Sequence, residues 1–149
     1  MKGSLRFLLF AVVFIGGISS RAQQPLPRSV FEARTIALVN ETKTAEVIDG
    51  AMEQLTRWGH FTVVDDAESA DIVLRFDKKT DREKQSSQST DEKGTTSWSG
   101  GMTFSTHVHM RAYLKGANSP FYTTETEDSK KKAGVSCVAR FQKTWIEER

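Results

Sequence analysis

Hydrophobic and polar residues alternate along one long stretch, Met102–Leu114, and this period of two predicts a strand with one buried and one wetter face. Three shorter apolar runs predict further strands over Thr35–Val39, Phe61–Val64 and Ile72–Phe76. A last strand is expected over Phe121–Glu127, after a turn rich in Gly, Asn, Ser and Pro. The pattern as a whole predicts about five strands.

Two other stretches carry apolar residues at helical spacing. The first predicted helix runs from about Thr42 to Trp58, and Gly59 directly after it suits the end of a helix. The second is traced by apolar residues between Val135 and Ile146, close to the carboxy terminus. Lys130–Gly134 is expected to be the break between the last strand and this helix.

One long segment contains no apolar residue. Between Phe76 and Trp98 the chain consists of charged residues, small polar residues and one glycine. Because such a composition buries too little surface to offset the entropy lost on ordering, we predict a mobile polar loop at about 78–97. The alternative is that its ends extend a hairpin. At the other end of the chain, residues 23–34 contain two prolines and are expected to form an extended lead-in.

The order of these elements is strand, helix, strand, strand, long loop, strand, strand, helix. It predicts the α+β class, with a mixed, mostly antiparallel sheet of about five strands and two helices packed on one face. The first strand–helix–strand unit is expected to make a right-handed crossover, which places the first two strands parallel. A single domain is predicted over residues 35–149.

The amino-terminal segment, residues 1–22, has the pattern of a cleavable secretory signal peptide. Two basic residues precede an apolar run, Phe7–Ile18, and the small residues Ser20 and Ala22 follow at the expected cleavage site. The run has 12 residues, whereas a membrane-spanning helix needs about 20, so cleavage is favoured over an uncleaved anchor. No cysteine stands directly after the run, at the expected cleavage site, and lipid attachment is therefore not expected.

Export also changes the charge of the protein. The full chain carries a formal charge of +2, but the three basic residues of the predicted signal leave 18 basic against 19 acidic residues, a net charge of −1. The exported part therefore has no global field that would attract nucleic acid or anionic lipid. We expect a soluble periplasmic or extracellular protein with no nucleic-acid partner and no stable membrane insertion after signal removal.

Cys137 is the only cysteine, so the chain forms no internal disulfide. In an oxidising compartment an odd thiol can pair between chains. Its apolar surroundings, Val135–Ala139, favour instead a cysteine that packs in the core as a small hydrophobic residue.

Part of the chain is similar to a known group of proteins. The segments Thr35–Asn40, Leu55–Gly59, Phe61–Asp65 and Ala70–Leu74 resemble those of small exported bacterial proteins of unknown function whose layout is similar to the TolB amino-terminal domain. The resemblance covers Thr35–Phe76, and its motifs are packing patterns. It implies an envelope or secreted binding module and transfers no catalytic residue.

The best candidates for chemistry are two histidines. His107 and His109 lie two residues apart on a predicted strand, so their side chains share one face at a spacing of roughly 7 Å. A metal would need a third ligand, which Glu125 or Glu127 would supply if the last strand pairs with this one. The alternative is that both histidines line a solvated sheet face. No other cofactor is indicated.

Two further observations limit the chemistry. The sequence has no His-Glu-x-x-His, Gly-x-Ser-x-Gly, phosphate-binding loop or Cys-x-x-Cys motif. The acidic segment Asp65–Asp71 lacks the spacing of an EF-hand and is expected to be a solvated turn.

These observations predict a non-enzymatic exported module that binds an unidentified envelope or secreted protein, with strand addition at an exposed sheet edge as the contact. The alternative function is a metal-binding protein or metal-assisted hydrolase that uses His107 and His109.

Overall fold

The structure is a computed structural model that describes residues 24–90 and 96–149; within these ranges, the side chains of 82–90 and 96–103 are not described. The predicted signal peptide lies outside the described residues. The elements in chain order are α1 (Arg28–Glu32), β1 (Thr35–Asn40), α2 (Ala45–Trp58), β2 (Thr62–Val63), β3 (Ile72–Thr90), β4 (Thr96–Leu114), β5 (Tyr122–Thr126) and α3 (Lys130–Glu148).

The strands form one mixed sheet in the order β2-β1-β3-β4-β5. β1 pairs in parallel with both β2 and β3, whereas β4 pairs antiparallel with both β3 and β5. The predicted α+β class, the sheet of about five strands and the parallel pairing of the first two strands are confirmed.

The core lies between one face of the sheet and the two long helices. Alternate residues of each strand point toward the helices, as the period of two requires. The largest fully buried side chains on this side come from three strands and all three helices: Ile36, Ile72, Leu74, Phe76, Val108, Met110, Val30, Val47, Leu55, Cys137, Val138 and Phe141.

The two long helices pack so closely that their backbones touch at two glycines. A Cβ atom added to Gly50 of α2 would overlap the carbonyl oxygen of Lys131. A Cβ atom added to Gly134 of α3 would overlap the carbonyl oxygen of Val47. Gly134 therefore lies within α3, at its contact with α2. The predicted break at Lys130–Gly134 is wrong, because this segment forms the first turns of the helix.

The extended lead-in predicted over residues 23–34 contains a short helix instead. α1 begins after Pro27, which suits the start of a helix because its missing N–H is not needed there. Leu26 and Val30, four residues apart, are both buried in the core. The backbone N–H of Leu26 also donates to Glu148 Oε2 at 2.5 Å, which ties this segment to the end of α3.

The structure describes strand instead of the loop predicted at 78–97, which agrees with the alternative that the ends of this segment extend a hairpin. β3 continues to Thr90 and β4 begins at Thr96, and the two strands pair in register from Ile72↔Leu114 to Thr90↔Thr96. The prediction assumed that a segment is ordered only when it buries apolar side chains. A two-stranded ladder instead satisfies the backbone groups of a polar segment without burying its side chains.

None of the helices in the described part of the chain is long and apolar enough to cross a membrane.

Candidate functional site

The sheet face opposite the long helices is polar, and we call it the open face. Near β1 it is covered by a small second cluster, in which Ala37, Ala70 and Val73 pack with Val64 and Ala67. Beyond this cluster the face carries polar and charged side chains from three strands, namely Arg75, Asp77 and Lys79 of β3, His107, His109, Arg111 and Tyr113 of β4, and Thr123 and Glu125 of β5.

Strand register places charged residues of the open face in rows. Arg75 lies directly opposite Arg111, and the next row contains Asp77, His109 and Glu125. Arg111 forms an ion pair with Asp77, one row along, and Arg75 Nη1 lies 3.1 Å from Oε1 of Glu41. Each of the two arginines described on this face, Arg75 and Arg111, therefore has one carboxylate partner.

The structure places His107 and His109 on the open face, as the sequence predicts. Nε2 of His109 lies 3.2 Å from Oε2 of Glu125, while Nε2 of His107 lies 3.3 Å from the hydroxyl of Ser105. The two rings thus contact different partners. Within the residues that the structure describes, no three His, Cys, Asp or Glu side chains are grouped as a metal site requires. Metal binding by this pair stays a prediction.

Cys137 is fully buried and its Sγ lies 4.0 Å from the carbonyl oxygen of Val108. Burial raises the pKa of the thiol to about 12. The predicted core position is confirmed, and a thiol in this environment is a poor nucleophile for disulfide exchange.

The acidic segment is a turn with structural hydrogen bonds. Oδ1 of Asp66 accepts from the backbone N–H of Glu68 at 2.9 Å. Oδ2 of Asp71 accepts from the backbone N–H groups of Arg34 at 2.9 Å and Thr35 at 3.0 Å. These two backbone donors lower the pKa of Asp71. The turn interpretation is therefore confirmed, and Asp71 joins the start of β3 to the start of β1.

The second notable feature is a projecting hairpin, which we call the ribbon. β1 pairs with β3 only as far as Phe76, and β5 pairs with β4 only as far as Val108. Beyond these points Lys78–Thr90 and Thr96–His107 pair with each other alone among the described residues. Strands of this length span roughly 40 Å.

One edge of the ribbon belongs to β3. It continues the edge along which β3 pairs with β1 up to Phe76. The carbonyl oxygen of Phe76 accepts from the N–H of Glu41 at 2.7 Å, so the backbone polar groups of Phe76 point toward β1. Since these groups alternate in direction along a strand, those of Lys78 and Thr80 point to the same side. They lie beyond the end of β1 and face outward.

Sequence reasoning gave the hairpin that forms the ribbon only as an alternative to a loop, and it missed the facing of Arg75 and Arg111. A signal for the ribbon was present, because the long alternation that ends at Leu114 needs a partner strand of similar length, and β3 is the strand that precedes it. No sequence signal indicated that Arg75 and Arg111 lie opposite each other. This position depends on the register between two strands, which the sequence of one strand does not reveal.

Fold and site together define an α+β protein with a helix-covered sheet and a projecting two-stranded ribbon. No family model matches the chain, and a search of curated proteins found no match. Among solved structures it is similar to the rare lipoprotein B from Shewanella oneidensis, with 16% identity and a TM-score of 0.42, over 76% of this chain and 95% of that one.

It is also similar to a PDZ domain protein from Parabacteroides distasonis, with 13% identity and a TM-score of 0.38. This match covers 72% of the chain described here but 31% of the other, so the chain spans about a third of that protein. Likenesses at this level do not assign a function. Neither protein is named as a TolB protein, and the TolB-like layout stays a prediction.

Proposed function

We propose that the chain is an exported, non-enzymatic binding module that takes up a strand of an envelope or secreted protein along the ribbon. The observation that carries this proposal is the pairing of Lys78–Thr90 and Thr96–His107 with each other alone, beyond the ends of β1 and β5. Export itself rests on the signal-peptide pattern of residues 1–22.

The physical reason is that such a ribbon is incomplete. An isolated two-stranded hairpin is marginally stable in water, and a third strand or a packed surface is needed for independent stability. An added strand would satisfy the outward backbone groups of Lys78 and Thr80 and would extend the sheet. The ribbon therefore gains stability on binding, which favours a partner that supplies main-chain hydrogen bonds.

Charge on the ribbon explains why the free edge does not pair indiscriminately. Lys78, Lys79 and Asp81 are exposed near its base, and Nζ of Lys79 lies 3.5 Å from Oδ1 of Asp81. Charged residues on edge strands oppose unselective pairing between sheets. A specific partner would match these charges, so the edge is selective as well as open.

Photo-crosslinking in the exporting cell tests the proposal. A photoreactive residue at Lys78 is expected to give a discrete adduct with one partner, whereas the same residue at the exposed Glu46 of α2 serves as the control position. The absence of an adduct at Lys78, or the same adduct at Glu46, would contradict strand addition at this edge.

A backbone variant makes the test specific for main-chain pairing. Thr80→Pro removes an outward N–H and leaves the inward ladder with β4 intact, so the Lys78 adduct should disappear. Thr80→Val removes the hydroxyl, keeps the N–H and should preserve the adduct. Equal adduct yields in the two variants would overturn the proposal.

A metal site at His107 and His109 is the second candidate, and one observation favours it. β5 pairs with β4 so that Glu125 faces His109, as a third ligand from the last strand requires. Zinc titration by calorimetry tests it, because a site built from these residues should lose its zinc in the double variant His107→Ala, His109→Ala. A titration of the unaltered protein without binding heat would exclude this function.

A further inference from the structure

A groove lies on the open face beside Arg75 and Arg111, away from the ribbon edges. It is bounded by β3, β4 and the turn that follows β4, and it encloses about 680 Å³. Its charged and aromatic walls are formed by Glu41, Glu68, Arg75, Arg111, Tyr113 and Lys115.

Two arginines of this groove lie on neighbouring strands, and each already pairs with one carboxylate. Arg75 and Arg111 are directly opposite each other on neighbouring strands, and like charges in this position repel. Their side chains are 49% and 43% exposed, so both reach the groove. Each guanidinium has five N–H donors, and one carboxylate partner leaves donors of both groups available.

Both guanidinium groups are held in place by the protein itself. The guanidinium carbon of Arg75 lies 5.8 Å from the centre of the Tyr113 ring, and its Nη1 contacts Glu41. The hydroxyl of Tyr113 and the carboxylate of Asp77 raise the pKa of Arg111. A ligand would therefore meet two oriented, permanently charged forks, which suit the two oxygens of a carboxylate.

The charges around the groove limit the charge of the ligand. Three cations of the wall (Arg75, Arg111 and Lys115) face two carboxylates of the wall (Glu41 and Glu68), and Asp77 pairs with Arg111 from outside the wall, so three cations are matched by three carboxylates. A monoanion adds one charge to this balanced set, whereas a phosphate with nearly two charges would be repelled more strongly by Glu41 and Glu68.

The remaining wall is apolar. Val73, which is 8% exposed, packs in one cluster with Ala67, and the Tyr113 ring adds an aromatic surface. Pockets of this kind bind an apolar body on such a wall and use a few polar groups for orientation.

We propose that this groove binds a small aromatic monocarboxylate, with its carboxylate between Arg75 and Arg111 and its ring against Val73 and Tyr113. The site is separate from the ribbon edge, so it does not depend on strand addition. The ligand's charge and its aromatic body each follow from a different wall of the groove, and each can be tested alone.

The first test varies the ligand. The full chain is expressed, exported and purified, and it is titrated with phenylacetate while backbone amide shifts are followed by NMR. Phenylacetate should shift the amides of Arg75, Arg111 and Tyr113 in a saturable way. Phenylacetamide, which has the same shape without charge, should bind at least about tenfold more weakly, because the charged hydrogen bonds are lost. Equal binding of the two, or tighter binding of phenyl phosphate, would overturn the proposal.

The second test varies the protein. Arg75→Gln should weaken phenylacetate binding at least about tenfold, and Lys79→Gln, on the same face outside the groove, should leave it unchanged. Arg111→Lys keeps the charge but removes the fork, so its affinity should fall between those of the unaltered protein and Arg75→Gln. Equal affinities in Arg75→Gln and Lys79→Gln would exclude the site. The Lys78 adduct should form normally in Arg75→Gln, which separates a failure here from a failure of the proposed function.

Discussion

Gly50 and Gly134 face each other across the contact between α2 and α3, and each abuts the backbone of the opposite helix. An added methyl group at either position would overlap a carbonyl oxygen, of Lys131 or of Val47 respectively. A backbone carbonyl group inside a helix cannot move aside as a flexible side chain can. The two helices would therefore have to separate. The distance between the two helices therefore depends on these two glycines.

Gly134→Ala is expected to destabilise the protein by about 1–3 kcal/mol, because overpacking outweighs the gain in helix propensity. In an exposed helix the same change would stabilise by about 1 kcal/mol, so the sign of the effect is diagnostic. Urea unfolding followed by circular dichroism measures it, with Gly50→Ala as the reciprocal variant. An unchanged or higher midpoint in both variants would show that the helices do not approach as described.

Cys137 is expected to resist thiol reagents in the folded protein. Burial raises its pKa to about 12, so the thiolate that reacts is scarce at neutral pH, and the sulfur is enclosed by the core. Ellman's reagent should react slowly in buffer and at the rate of a free thiol in concentrated urea. Rapid reaction without denaturant, or a dimer band on a non-reducing gel, would favour pairing between chains instead.

Asp71 should contribute stability that depends on pH. Its backbone hydrogen bonds with Arg34 and Thr35 lower its pKa below the ordinary value of 3.8, so the folded state favours the ionised form. This stabilisation is fully present above the pKa that Asp71 has in the unfolded chain. It is lost as the pH falls through the lower pKa that Asp71 has in the folded protein. Asp71→Asn should therefore be less stable at pH 7, with the difference narrowing toward pH 3. Urea midpoints across this range measure it, with the variant Asp65→Asn, at an exposed position of the same turn, as the matched control.

His60 should make the protein sensitive to mild acid. Its ring stacks on Trp58 and lies tilted against Trp145, with ring centres 5.8 and 4.3 Å away. Its Nε2 is buried without a hydrogen-bond partner in the described part of the chain. Burial, and then the charges of Arg149 and Arg34, lower its pKa from 6.5. The unfolded chain therefore binds a proton at His60 more readily than the folded protein does. The free energy of unfolding should fall as the pH drops from above the unfolded-state pKa of His60 toward pH 5.

The variant His60→Phe tests this assignment, since it keeps the aromatic packing and removes the titrating group. Its thermal midpoint should change less between pH 7 and pH 5 than that of the unaltered protein. A parallel loss in both proteins would show that another group causes the acid sensitivity.

Much of the fold was predictable because it depends on local patterns. The helix ending at Trp58 and the alternation up to Leu114 each report a buried face, and these periods were interpreted correctly. The polar strand Lys78–Thr90 was expected only as an alternative to a loop, because its order comes from a partner strand and not from burial. The Arg75–Arg111 pair was missed for a related reason, since it exists only through the register of two strands.

The hydrogen bond between Leu26 and Glu148 has a consequence for when the protein folds. It joins residues separated by 122 positions, and Leu26 and Val30 lie in the same core cluster as residues of α3. Closing such a long loop costs entropy until the intervening chain is ordered, so contacts of this sequence separation form late. The core around Leu26 therefore cannot close until the last helix of the chain is available, and the two ends of the chain reach their final positions together.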